Sequence, residues 1–171
     1  SGWIYKFDLN GAKVDSFSTG LDESQGLAWD GSHFWYCARV SAASFVFYKI
    51  TTSGTVVDQI TLPSSNFIGG LYWDGNGLWY SLYYPNNEAA LYKMDVNTQT
   101  IVDTISTIGT QPQGITFDGQ YFYYAMDDND GDPENIYIYD PAIEDTVGAI
   151  PIADPISTRP RGLAWDGGHL W

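Results

Sequence analysis

A chain of 171 residues that is 44% apolar and 16% aromatic can bury enough surface to offset its ordering entropy, which excludes a disordered segment. Its formal net charge of −14 repels phosphate backbones and anionic lipid, so nucleic acid and membrane surfaces make poor partners. One cysteine, Cys37, permits neither an internal disulfide nor a cysteine metal cluster, and no apolar run reaches the ~20 residues of a membrane-spanning helix.

The chain begins Ser1-Gly2 without Met, as a processed or partial product would, and removal of a secretion signal is one route to that start. The first strand signal is Ile4-Tyr5-Lys6-Phe7-Asp8, followed by a turn and a second run over residues 11–17. Next come Gly26-Leu27-Ala28-Trp29-Asp30-Gly31, the aromatic group Phe34-Trp35-Tyr36, the segment Phe47-Tyr48-Lys49-Ile50 and a β-branched run over residues 54–62. The whole set then returns. Gly70-Leu71-Tyr72-Trp73-Asp74-Gly75, Gly114-Ile115-Thr116-Phe117-Asp118-Gly119 and Gly162-Leu163-Ala164-Trp165-Asp166-Gly167 repeat the first motif at intervals of 44, 44 and 48 residues. Leu78-Trp79-Tyr80, Phe122-Tyr123-Tyr124 and Leu170-Trp171 repeat the aromatic group. Leu91-Tyr92-Lys93-Met94-Asp95 and Ile136-Tyr137-Ile138-Tyr139-Asp140 repeat the third segment, and residues 98–105 and 145–150 the fourth.

Each unit therefore reads as four short strands, A to D, with Asp-Gly turning A into B. Apolar residues on both faces of A, B and C are what sheets stacked against neighbours on both sides require, and helical periodicity is absent. Four-stranded units at this period predict an all-β fold, a β-propeller with four repeats of four antiparallel strands. The chain opens with strands C and D and closes with A and B, so its ends split one blade two-plus-two. The expected divisions are a half-blade at 1–21, blades at about 22–64, 65–108 and 109–154, and a half-blade at 155–171.

From the strand B aromatic to the strand C Tyr the spacing is 13, 13 and 14 residues (Trp35 to Tyr48, Trp79 to Tyr92, Tyr123 to Tyr137), whereas joining Trp171 to Ser1 leaves 5. Three arrangements accommodate that short loop: four blades closed in one chain, two chains closing a larger ring, or a portion of a longer propeller or head-to-tail assembly. In each, the exposed strand edges need mates.

The Gly-Leu-Ala-Trp-Asp-Gly…Leu-Trp signature resembles that of bacterial and archaeal propellers of the quinoprotein-like, YVTN-type and glutamine-cyclotransferase-like groups. The resemblance covers nearly the whole chain and implies architecture; the group includes lactonases, lyases, cyclases, sensors and surface proteins, so it implies no one activity.

In propellers the D–A and B–C loops gather at one end of the central channel, where ligands usually sit. The residue before each signature Gly is Gln25, Gly69, Gln113 or Arg161. With Arg159 close by, these form a polar ring for an anion or a sugar, anchored by Arg161; the structural alternative is that they bond backbone carbonyls and water. Asp127-Asp128-Asn129-Asp130-Gly131-Asp132-Pro133-Glu134 gathers oxygen-bearing side chains around a Gly, and Asp127, Asp128, Asp130, Asp132 and Glu134 are candidate Ca²⁺ ligands. Their spacing does not match the EF-hand, and a solvated acidic turn is the alternative. Tyr83 and Tyr84, expected in a loop beside Pro85, are candidate sugar-stacking residues, while Trp29, Trp73 and Trp165 recur at one strand position and read as inter-blade packing. His33 and His169 fall in A–B turns at the opposite end and form no metal set.

No catalytic residue is nominated. The expected function is an extracellular or cell-surface module that self-associates through its terminal half-blades or recognises a glycan or surface protein. The alternative is a lactonase, lyase or cyclase with a channel-mouth site, one version of it Ca²⁺-dependent.

Overall fold

The computed structural model describes residues 2–21, 23–41, 44–63, 67–85, 88–127, 134–152 and 160–171. Fourteen strands account for most of them: β1 (Trp3–Phe7), β2 (Lys13–Ser18), β3 (Ser24–Trp29), β4 (Phe34–Ser41), β5 (Ser44–Ile50), β6 (Val56–Thr61), β7 (Phe67–Trp73), β8 (Leu78–Tyr84), β9 (Ala90–Asp95), β10 (Thr100–Ser106), β11 (Pro112–Phe117), β12 (Phe122–Met126), β13 (Asn135–Asp140) and β14 (Asp145–Pro151). They form three four-stranded antiparallel sheets, β3 to β6, β7 to β10 and β11 to β14, and one two-stranded sheet, β1 with β2. A bridge between Trp165 and Leu170 begins a further hairpin. The architecture is that of a β-propeller. Among the described residues no helix is long and apolar enough to cross a membrane.

The Asp-Gly step makes its turn through the Asp side chain. In the first unit Asp30 Oδ1 accepts the N–H groups of Ser32 and His33, and Gly31 takes a φ of 96° that a residue with a Cβ rarely adopts. Asp74, Asp118 and Asp166 repeat the pattern with Asn76 and Gly77, Gln120 and Tyr121, and Gly168 and His169.

The second carboxylate oxygen of each Asp points back over the sheet. Asp30 Oδ2 lies 2.9 Å from Lys49 Nζ, and Asp74 Oδ2 lies 2.6 Å from Lys93 Nζ. Trp79 and Trp171 donate their indole N–H to Asp74 and Asp166, and the Tyr123 hydroxyl donates to Asp118. Burial alone would raise the carboxyls of Asp30 and Asp74. Turn N–H groups and lysine ammonium groups outweigh it and hold both below the ordinary range.

Packing runs between sheets. Trp35, Phe47, Leu71, Leu78 and Tyr80 join the first full blade to the second, and Trp79, Leu91, Ile115, Phe122 and Tyr124 join the second to the third. Each large ring so buried stabilises the fold by roughly 3 kcal/mol. Ile4 and Phe17 of the two-stranded sheet pack on the first full blade beside Tyr36 and Ile50. Cys37, in β4, is completely buried, and that burial pushes its thiol pKa far up.

Strands A lie innermost and touch directly, β3 on β7 and β7 on β11. Their glycines permit this. A Cβ on Gly26 would sit 2.9 Å from the Leu71 nitrogen, one on Gly70 2.8 Å from the Gln113 oxygen, and one on Gly114 2.6 Å from the Leu163 nitrogen. Gly162 ends the series with nothing within 4 Å. The arc is therefore open between the fourth signature and the first, and β1 pairs with β2 alone among the described residues.

Candidate functional site at the channel mouth

A cavity of about 480 Å³ follows the axis, lined by Gln25, Tyr36, Leu71, Ile115, Arg161 and Leu163 among others. Gln25 and Arg161, each one residue before a signature Gly, both lie on its wall. There the Arg161 Nη1 donates to Gln113 Oε1 at 2.9 Å, and its Nη2 lies 3.8 Å from Asp127 Oδ2. Gln113 and Asp127 are buried, whereas the Arg161 side chain is half exposed.

Tyr83 reaches the same point from β8. Burial pushes its hydroxyl pKa up, and the guanidinium groups of Arg161 and Arg39 oppose that shift, Arg161 also through a hydrogen bond. Ser81, two residues earlier, takes the Gly70 N–H on its hydroxyl at 2.7 Å and donates to the Gln113 carbonyl, fixing β11 against β7. Its counterparts Cys37 and Ala125 are also small and buried, and this column of small residues was the sequence signal for a close crossing.

Two polar atoms in this knot have no hydrogen-bond partner among the described residues: Gln113 Nε2, a donor, and Asp127 Oδ1, an acceptor. Buried polar atoms are nearly always satisfied, and leaving one unpaired costs about 1–3 kcal/mol. The unpaired donor and the unpaired acceptor belong to the two side chains that the half-exposed Arg161 contacts, and a ligand group between them has to accept from one and donate to the other. A hydroxyl does both.

Beside the knot, Phe67 packs against Phe45, Tyr83 and Tyr84, with the Arg39 guanidinium 5.4 Å from its ring centre. Arg39 in turn pairs with Glu23 at 3.1 Å. Tyr83 and Tyr84 are not in a loop. They end β8, because Tyr84 pairs with Phe67 across the sheet before Pro85 breaks the strand.

Of the sequence candidates, Gln113, Arg161 and Tyr83 converge, Gln25 lines the cavity, and Tyr84 stands exposed beyond Phe67. Asp127, expected as a calcium ligand, faces Arg161, and Glu134 is buried with its carbonyl accepting the Ile152 N–H. Arg159, Asp128, Asp130 and Asp132 lie outside the described residues. No group of three or more His, Cys, Asp or Glu side chains is close enough to hold a metal among the described residues. The Asp127–Arg161 pairing had no signal in the sequence.

Fold and mouth together define the class: a propeller-type protein with a polar, partly unsatisfied channel mouth. No protein-family model matches the sequence, and no curated protein is significantly similar to it. Solved structures are similar in fold. Glutaminyl cyclase of Myxococcus xanthus superposes with a TM-score of 0.65 at 16% identity, over 90% of this chain and 62% of the other. Hydrazine synthase of Kuenenia stuttgartiensis gives 0.57 at 16% identity, over 85% of this chain and 41% of the other. The computationally designed Ika4 protein gives 0.55 at 9% identity, over 88% and 86%. The chain thus spans less than two thirds of the two natural proteins. These likenesses bear out the propeller fold, the coarser part of what the signature implied.

Proposed function

We propose that this propeller is a recognition module that binds a neutral sugar at the channel mouth around Arg161. One observation carries the reading: a buried donor on Gln113 and a buried acceptor on Asp127, both without a partner among the described residues, belong to the side chains that contact a half-exposed guanidinium. Vicinal hydroxyls would accept from Arg161 and Gln113 and donate to Asp127, and Tyr84 offers an exposed ring for stacking. The net charge of −14 weighs against polyanionic ligands. An extracellular or cell-surface setting belongs to the same proposal, supported by the acid-rich surface and the exposed aromatic side chains. Glutaminyl cyclase activity is said of the Myxococcus protein, and a shared fold does not carry it here.

The test is calorimetric titration with a panel of neutral disaccharides and the matching uronates. Binding of at least one neutral member is expected, weakened about tenfold or more by Arg161→Ala, since a hydrogen bond to a charged group contributes ~1.5–3 kcal/mol. Heats that stay at the dilution baseline across the neutral panel would remove the sugar reading.

A further inference from the structure

The outermost strand of each blade pairs on one side only. β6, β10 and β14 end their four-stranded sheets, and β2 holds the same place beside β1. A row of unpaired backbone groups is a template for a strand from another molecule. The sequences sharpen that hazard. Val56-Val57-Asp58-Gln59-Ile60-Thr61 in β6 and Thr100-Ile101-Val102-Asp103-Thr104-Ile105-Ser106 in β10 are rich in β-branched residues and hold one charge each.

All four outer strands break their ladder at an equivalent residue. The register of β6 on β5 steps from Ile50–Val56 to Lys49–Asp58, so Val57 is an extra residue. Val14 in β2, Val102 in β10 and Val147 in β14 are skipped in the same way. These four valines are half exposed. An extra residue on one strand bends and twists it, which spoils the flat edge that a second strand needs.

Beside each bulge a carboxylate occupies a main-chain amide. Oδ1 of Asp15, Asp58 and Asp103 accepts the N–H of the next residue, Ser16, Gln59 and Thr104, at 2.7, 2.8 and 2.7 Å. The Gln59 amide faces away from the sheet. Leu62 donates its N–H inward to the Phe45 carbonyl, and alternation along the strand turns Ile60 inward and Gln59 outward. Ser16 and Thr104 hold the equivalent place in β2 and β10.

In β14, Gly148 stands where the other strands have Asp, and the protection moves. Ile152 donates its N–H inward to the Glu134 carbonyl, so position 151 faces outward, and Pro151 has no N–H to offer. Across the bulge the alternation shifts by one residue and Thr146 faces outward; Asp145 Oδ1 takes its N–H at 2.8 Å.

We infer that each blade closes its own outer edge: a bulge and an aspartate bonded to an edge amide make the rim refuse strand addition from another chain. A partner that binds the rim must then do so through side chains or loops and not by extending a sheet. Charge repulsion alone does not account for the arrangement. Repulsion needs a carboxylate anywhere on the strand, whereas these stand one residue before an edge amide and bond it, and β14 reaches the same result with a different Asp and a proline. The inference is independent of the sugar reading.

The test compares Asp58→Ala/Asp103→Ala/Asp145→Ala with Asp58→Asn/Asp103→Asn/Asp145→Asn by sedimentation. Both lose the same charge, but only asparagine keeps a side-chain oxygen for the amide. At equal concentration the alanine variant is expected to rise about twofold or more in weight-average mass over wild type, with the asparagine variant unchanged. An alanine variant of wild-type mass and wild-type circular dichroism overturns the inference. Equal association of both variants overturns it too, since charge would then be the cause. A second arm needs no substitution. In hydrogen exchange on the wild-type protein, the Gln59, Thr104 and Thr146 amides are expected to exchange about fivefold or more slower than free peptide amides. Free-peptide rates at all three overturn the inference, and this arm decides if the alanine variant does not fold.

Discussion

Lys93 reaches across strand β8 to set its Nζ 2.6 Å from Oδ2 of Asp74, tying strand C to the turn that ends strand A. The same carboxylate takes the indole N–H of Trp79 and two turn N–H groups, so one side chain closes the hairpin and crosslinks the blade. Lys93→Met should therefore destabilise the fold by about 2 kcal/mol, because it strips the charge partner from a mostly buried carboxylate. Urea denaturation measures this. A midpoint within error of wild type would show that the turn N–H groups suffice alone.

Acid should weaken the protein through the same carboxylates. Asp30, Asp74 and Asp118 have folded-state pKa values below ordinary, despite burial that acts to raise them. Their contribution is complete above the unfolded value of about 3.9 and is lost as pH falls through the lower folded values. Melting temperature should hold from neutral pH to about 4 and drop steeply below it. In Lys49→Met/Lys93→Met the drop should be shallower, since two of the groups that lower those values are gone.

Glycine at the inner joints is a matter of space. Gly114→Ala would put a methyl group 2.6 Å from the Leu163 nitrogen, and the expected loss is about 3 kcal/mol. Comparing urea midpoints of Gly114→Ala and Gly162→Ala in dilute solution isolates the effect of the joint, because the second site has open space around it. Equal midpoints would mean that the strands move apart at little cost.

At the channel mouth, Arg161→Met removes the cation facing the buried Asp127 and should lower stability by about 1–2 kcal/mol. Adding Asp127→Asn should recover most of that loss, since an amide costs less to bury than an unpaired carboxylate. A double variant no more stable than Arg161→Met would show that the pair does not interact.

The repeat made the blades legible because one short motif encodes two things. In Gly26-Leu27-Ala28-Trp29-Asp30-Gly31 the Gly marks the inner joint, and Asp-Gly supplies both the side-chain acceptor and the φ that the turn needs. Contacts between distant units left weaker traces. Pro85 follows Tyr84 so closely that Tyr83 and Tyr84 read as a loop, and only the pairing with Phe67 reveals the strand. The cation facing Asp127 is a guanidinium carried 34 residues further along the chain. Local chemistry shows in a sequence read in order, and a partner supplied by another blade does not.

Cys37 sits at 0% exposure in the middle of β4, and the other thirteen strands contain no thiol. An alkylating reagent can modify this protein only when the first complete sheet lets go. Its rate of uptake is therefore a stopwatch on that sheet alone, read without adding any label to the molecule.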